Sequence, residues 1–449
     1  MVVLLVLLIA LCIGSVIALL LWDKPIIIIY VQLIYCCTFR FFKCYLGLPE
    51  AIKYVMDFLN VWLIVLTLIE VKKRKKTYNI RNIMTFIFVF MIGTFISFIY
   101  NQQPLVLYLW SLRTTLRMIS FFVSCIVFLE KSDVEHIIKM FLILLGGNTV
   151  MSAFQYFVQG YTFDYNGGLF GFETGCNGYM NIYLCMLTMY AVSMFMYKKK
   201  GASLIVYVSV CSMAIAALSE LKIYFFEIVF ALVVVILTQK PSWRTAVSIG
   251  VGVICLVVGV NVFFTLYPYW KDFFTYDKIM DYLTMDYSVG AYTLNRFSGI
   301  PYVYNNIMND WILKVFGTGA GSGDNVFGFK GWIYKEYASL HYEWFVNVMI
   351  MLECGIVGFI AYTGFFIAGC ADSFKRMFSD VENKAIHTVT FGAMILAIIN
   401  MWYNSALRLE INYVLAFWLS ISYIYSKSDK KPVYLNTEAT SSENNYEVI

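Results

Sequence analysis

GTGAGSGDNVFGFKGWIYKEYASLHYEWFVNVMIMLECGIVGFIAYTG, from Gly317 to Gly364, is the stretch on which the reading of this chain turns. It opens as a glycine-rich segment too polar for hydrocarbon, passes through aromatic residues to His341, and enters a long apolar run. That order predicts a water-exposed site built at the edge of a membrane.

Outward from this stretch the rest of the 449 residues has the same apolar character, with 61% hydrophobic and 14% charged residues and a mean hydropathy of +0.72. Such a composition excludes a soluble globular domain. Roughly a dozen runs approach the ~20 apolar residues a helix needs to cross a bilayer. The fold expected is an all-α polytopic membrane protein of about 12–13 transmembrane helices with one long structured extracytoplasmic loop. Residues 1–266 hold the first ten helices, 267–340 the loop, 341–425 the C-terminal helices and 426–449 a polar cytoplasmic tail. Residues 1–22 lack a charged leader region and read as a retained helix.

The net charge is +5, but its placement says more than its sign. KKRKK at 72–76, KKK at 198–200, Lys240 with Arg244, and Lys375 with Arg376 sit in short turns. Basic turns mark the cytoplasmic side, so these runs report topology rather than a nucleic-acid partner. The eleven cysteines fall almost entirely in apolar segments and form no CxxC, as small core residues do.

One crossing per apolar run sorts the remaining charges onto the outer face. Arg113 and Arg117 lie four apart in the run from 105 to 129, hence on one helical face. Ionisable groups inside a span are costly unless they meet protein or water; snorkelling to the interface is the plainer alternative. Lys222 closes the tight SELK turn at 219–222, either as an ion pair with Glu220 or as an anion ligand. The long loop is rich in aromatics, including Tyr267, Tyr276, Tyr292, Tyr302, Tyr304, Trp270, Trp311 and Trp332, and carries Arg296. These rings suit either sugar stacking or an interfacial belt. Arg408 lies in the last outer turn. Guanidinium groups chelate phosphate oxygens and stay charged, while a histidine such as His341 can take a proton from a hydroxyl.

Absences narrow the chemistry. There is no phosphate-binding GxxxxGKS loop, no DxD pair in the outer loops and no cluster at metal-ligand spacing, so neither cofactor nor metal is expected. A reaction on the outer face needs a donor already activated and already across the membrane, and a lipid-pyrophosphate-linked sugar meets both conditions.

In the order of these pieces the chain resembles the O-antigen polymerase and O-antigen ligase superfamily of bacterial envelope glycan assembly, which includes the oligosaccharide repeat unit polymerases. The residues carrying the resemblance are GTGAGSGD, LHYEWFVNVMIMLECGIVGF from Leu340, and GGLFGFETGCNGYMN from Gly167 with the later LSELK turn. Lys222 stands where family members often have an arginine, and His341 is followed by Tyr342. The resemblance implies a multi-pass protein of the cytoplasmic (inner) membrane, active on its extracytoplasmic face as a metal-independent inverting glycosyltransferase. Its substrate would be undecaprenyl-pyrophosphate-linked oligosaccharide, polymerised into O-antigen, capsule or exopolysaccharide. Arg113, Arg117, Lys222 and Arg296 would hold the pyrophosphate, with Arg408 added from topology, and His341 would act on the acceptor hydroxyl. Membrane lipid, a flippase and a chain-length regulator are the implied partners. A ligase moving finished glycan to another acceptor stays open, as does a flippase or exporter of lipid-linked saccharide.

Overall fold

The computed structural model describes residues 12, 14–16, 19–74, 80–239, 242–268, 271, 275–284 and 294–426. Most of the first apolar run, Lys75, Lys76, Lys240, Trp270, Tyr292 and the tail from 427 lie outside the described residues.

The chain is an all-α polytopic membrane protein, with nine helices among the described residues long and apolar enough to cross a bilayer. In chain order the bundle contains α1 (Pro25–Leu46), α2 (Tyr54–Arg74), α3 (Arg81–Tyr100), α4 (Leu105–Phe128), α5 (Lys131–Phe157) and α6 (Cys176–Met196). It continues with α7 (Ala202–Leu218), α8 (Lys222–Thr238), α9 (Trp243–Leu266), α10 (Val346–Ser379), α11 (Lys384–Tyr403) and α12 (Asn412–Tyr425). Three of these, α7, α8 and α12, are shorter than 18 residues, at 17, 17 and 14. Local chemistry sets the ends. Pro25 opens α1, where its missing N–H costs nothing, and Gly47 closes it in the left-handed conformation at φ 64°. Glu130 and Asp133 cap α5 reciprocally.

Helices α6 and α12 form the centre. In α6, 94% of the apolar window is buried, and in α12 every residue from Asn412 to Ile424 is buried. Enclosure by other helices lets α12 fall short of the ~30 Å hydrocarbon thickness and still carry Asn412, Ser420 and Ser422. By contrast only 13% of the α9 window is buried, so that helix faces outward from the bundle.

The turns divide between the two ends of the bundle. The lysines at 198–200 lie at one end. The described residues of 294–345 lie at the other, where Gln103 donates to the Thr318 carbonyl at 3.1 Å and the Val346 N–H to that of Asn404 at 3.3 Å. A two-stranded hairpin, β1 (Asn325–Val326) with β2 (Phe329–Lys330), sits in this loop-bearing end.

The glycine-rich segment departs from its expected exposure to water: residues 317–323 are buried. The reason is a break in α10 at Gly355, where φ is 65° and ψ −168°. The backbone N–H groups of Thr318 and Gly319 donate to the carbonyls of Leu352 and Glu353 at 2.9 and 3.1 Å. Irregular backbone is tolerated in a bundle when its polar groups are satisfied in this way. A Cβ on Gly317 would stand 2.3 Å from the Glu353 carbonyl oxygen, and one on Gly355 would stand 2.4 Å from the Gly317 nitrogen. Only glycine lets the two backbones come this close.

Candidate functional site

A cavity of about 460 Å³ opens at the loop-bearing end. Its floor is the start of α6, its sides are the 219–222 turn and the 403–406 turn, and Arg296, Trp344 and Phe345 of the long segment line it as well. Each contributor is placed by local structure. The Ser219–Leu221 turn, with Glu220 at φ 56°, is tight enough to bring Lys222 to the first position of α8. There Lys222 Nζ lies 3.0 Å from Glu220 Oε1. Arg296 Nε donates to the Tyr403 carbonyl at 3.1 Å. Its guanidinium lies 4.7 Å from the Tyr403 ring centre and 5.4 Å from that of Phe345. Within the cavity Glu220 and Asp164 attract Lys222 and Arg296 repels it.

Of the six residues expected to act together, Lys222 and Arg296 meet in this cavity. His341 does not line it. The imidazole stacks on the Trp344 indole with centroids 4.2 Å apart and planes 11° apart, and Trp344 does line it. His341 Nδ1 is 3.3 Å from Glu343 Oε1, and the backbone is left-handed at φ 51°. The histidine therefore borders the site through the indole.

Arg113, Arg117 and Arg408 are instead drawn into carboxylate pairs beside the cavity. Arg113 Nη2 is 2.6 Å from Asp57 Oδ2, with its guanidinium 4.2 Å from the Trp110 ring centre. Arg117 Nη1 is 3.1 Å from Glu410 Oε1, and a second nitrogen donates to the Arg408 carbonyl. Arg408 Nη2 is 3.3 Å from Asp324 Oδ2 and 3.9 Å from Glu353 Oε2. One turn serves both regions: Ser405, Ala406 and Leu409 face the cavity, while Arg408 and Glu410 enter the pairs.

This second network continues through residues that sequence reasoning gave no role. Tyr179 donates to Glu410 Oε2 at 2.9 Å and accepts from Arg40 Nη2 at 2.6 Å. Arg40 and Lys43 converge on Glu173, with Nζ of Lys43 at 2.7 Å from Oε1. Burial works against ionisation of Glu410, but the Arg117 guanidinium outweighs it and holds the carboxyl down at about 2. Burial likewise works against the Arg408 cation, and Asp324 with Glu353 overcomes it and raises its pKa. Among the described residues no three His, Cys, Asp or Glu side chains are grouped to hold a metal ion.

Asn181 and Glu227 were also overlooked, although a carboxylate in the apolar run of α8 is a signal in itself. Asn181 lines the cavity. The Glu227 carboxyl group lies among Asn181, Cys185 and Asn400, with Asn400 Nδ2 donating to Oε1 at 3.3 Å. No family model matches this chain, and no curated protein matches it.

Proposed function

We propose that the chain is a glycan polymerase that joins oligosaccharide repeat units carried on a lipid pyrophosphate, working in the cavity at the loop-bearing end, which we assign to the extracytoplasmic face. The observation that carries this reading is the meeting of Lys222 and Arg296 in one cavity with aromatic and amide walls. Two cations suit a diphosphate, rings and amides suit a sugar, and about 460 Å³ lies within the range of small-ligand sites.

The chemistry follows from that placement. The acceptor hydroxyl oxygen attacks the anomeric carbon, the bond from that carbon to the pyrophosphate oxygen breaks, and the lipid pyrophosphate leaves with the bonding pair. Lys222 and Arg296 stabilise the charge on the leaving group. His341, oriented by Glu343 at the rim, receives the hydroxyl proton. Arg113, Arg117 and Arg408 hold the walls of the site through their carboxylate partners, a role that replaces direct phosphate contact.

Arg296→Ala and His341→Ala, each at unchanged membrane level, test the reading. In a strain lacking the chromosomal copy, both variants are expected to leave single-repeat product, with losses on the order of 10²-fold or more. Normal polymer length in both would remove the site. Full-length chains stranded on the lipid carrier would replace the polymerase with a ligase.

A further inference from the structure

The sequence leaves Lys222 two roles, partner of Glu220 or ligand of an anion, and the structure shows both residues lining the same cavity. The Lys222 and Glu220 side chains are 12% and 7% exposed, with Nζ 3.0 Å from Oε1. The pair is held against local preference. Glu220 takes a left-handed φ of 56°, unfavourable for a residue with a Cβ. Lys222 opens α8, where the orphan N–H groups make the helix end positive and a cation is out of place. The turn itself is fastened on two sides: the Leu221 N–H donates to the Ala216 carbonyl at 3.0 Å, and Ser219 Oγ donates to Asn166 Oδ1 at 3.2 Å. Any exchange of partners at Lys222 is therefore an event of side chains and not of backbone.

An anion entering the cavity meets this pair first as a competitor. The charged residues that line the cavity, Asp164, Glu220, Lys222 and Arg296, sum to zero, and Asp164 as well as Glu220 attracts Lys222. A diphosphate reaches the ammonium by taking the place of the Glu220 carboxylate; otherwise like charges face one another in a largely buried site, where they are poorly screened. Competition of this kind suits a transfer reaction. Breaking the bond at the anomeric carbon leaves the lipid pyrophosphate with one more ionisable oxygen than the donor had, so an unopposed pair of cations would hold product more tightly than substrate.

Resting on the glycan-transfer reading, we infer that Glu220 is a positioning residue that acts through Lys222 as an exchangeable counter-ion. In the empty cavity its carboxylate occupies the ammonium. The donor pyrophosphate displaces it, and after transfer the carboxylate returns to Lys222 and drives the lipid pyrophosphate out. The exchange makes and breaks no covalent bond.

The test uses the purified full chain, with inorganic pyrophosphate as the probe and polymerisation kinetics on the lipid-linked repeat as the second readout. Glu220→Gln keeps the size of the side chain and removes its charge; Glu220→Asp keeps the charge one methylene further back. Glu220→Gln is expected to bind pyrophosphate about 10-fold tighter than wild type, with KM and kcat both lowered because product release slows, and Glu220→Asp to lie between the two. In a Lys222→Ala background the Glu220→Gln gain should vanish. Unchanged or weaker pyrophosphate binding by Glu220→Gln overturns the inference, as does an unchanged kcat, or a gain that persists without Lys222. A lowered thermal midpoint with weaker binding in both Glu220 variants overturns it too, making Glu220 a structural residue. If gene deletion shortens the polymer and Glu220→Gln behaves as wild type, this inference alone fails; if gene deletion changes nothing, the glycan-transfer reading fails and takes it along.

Discussion

Arg117 shows what a charge inside this bundle costs. It is 3% exposed and paired with Glu410, itself 5% exposed, and breaking a buried pair from one side strands the other charge. Arg117→Ala is therefore expected to destabilise the protein by about 3–5 kcal/mol, read as a fall in thermal midpoint. The double change Arg117→Met with Glu410→Leu should recover most of that loss. The pair also sets an acid limit. Because the folded Glu410 carboxyl is held at about 2 against an ordinary 4.5, its stabilising contribution is complete above pH 4.5 and is lost as pH falls towards 2. Glu410→Gln should flatten the decline in midpoint across that window. Another residue set invites over-reading: His387 lies 2.8 Å from Ser422 Oγ and 3.2 Å from Asp380 Oδ2. Both His387 and Ser422 are 0% exposed, so no substrate reaches the hydroxyl, and Ser422→Ala should leave polymer length unchanged. Arg113, Arg117 and Arg408 were legible in the sequence; Arg40, Lys43 and the carboxylate partners were not. Asp57 lies 56 positions from Arg113, and Glu410 lies 293 from Arg117, distances that only the packing of helices closes.

Helix boundaries were far more legible, because bilayer thickness and apolar pattern dictate them. The expected run from 105 to 129 is the helix Leu105–Phe128. The long run from His341 fared differently. Helix α10 begins at Val346 and breaks at Gly355, a glycine that apolar neighbours make look like ordinary helix interior. Periodicity cannot reveal a break whose cause is a glycine-rich segment packed against it. Gly317→Ala or Gly355→Ala should cost about 3 kcal/mol or more, from left-handed strain plus overlap with the facing backbone. The measurement is the fraction of protein eluting as a monodisperse species after extraction, together with its midpoint; wild-type values for both variants would contradict the reciprocal contact.

Across the molecule, counting crossings from the basic turns assigned six cationic or titratable residues to one face; the structure brings Lys222 and Arg296 together in a cavity and draws Arg113, Arg117 and Arg408 into carboxylate pairs. What the count could not supply was their division between a cavity and an ion-paired wall, since that depends on which side of the 404–411 turn each one meets. The assignment of that end to the cell exterior is open to direct labelling. Phe327 and Val381 are 53% and 74% exposed at opposite ends. A cysteine at 327 should react with a membrane-impermeant maleimide in intact cells, and one at 381 only after lysis. Reversed labelling would put the cavity in the cytoplasm and end the lipid-pyrophosphate proposal. The docking of Thr318 and Gly319 onto the carbonyls of Leu352 and Glu353 has a further consequence for biogenesis. Thr318 is synthesised 34 residues before Leu352, so every nascent chain passes through an interval in which that segment exists with no carbonyl yet made to receive it. Maturation of the cavity must therefore wait for the insertion of α10, and a chain truncated before residue 352 would reach the membrane with its spans threaded and its site unbuilt.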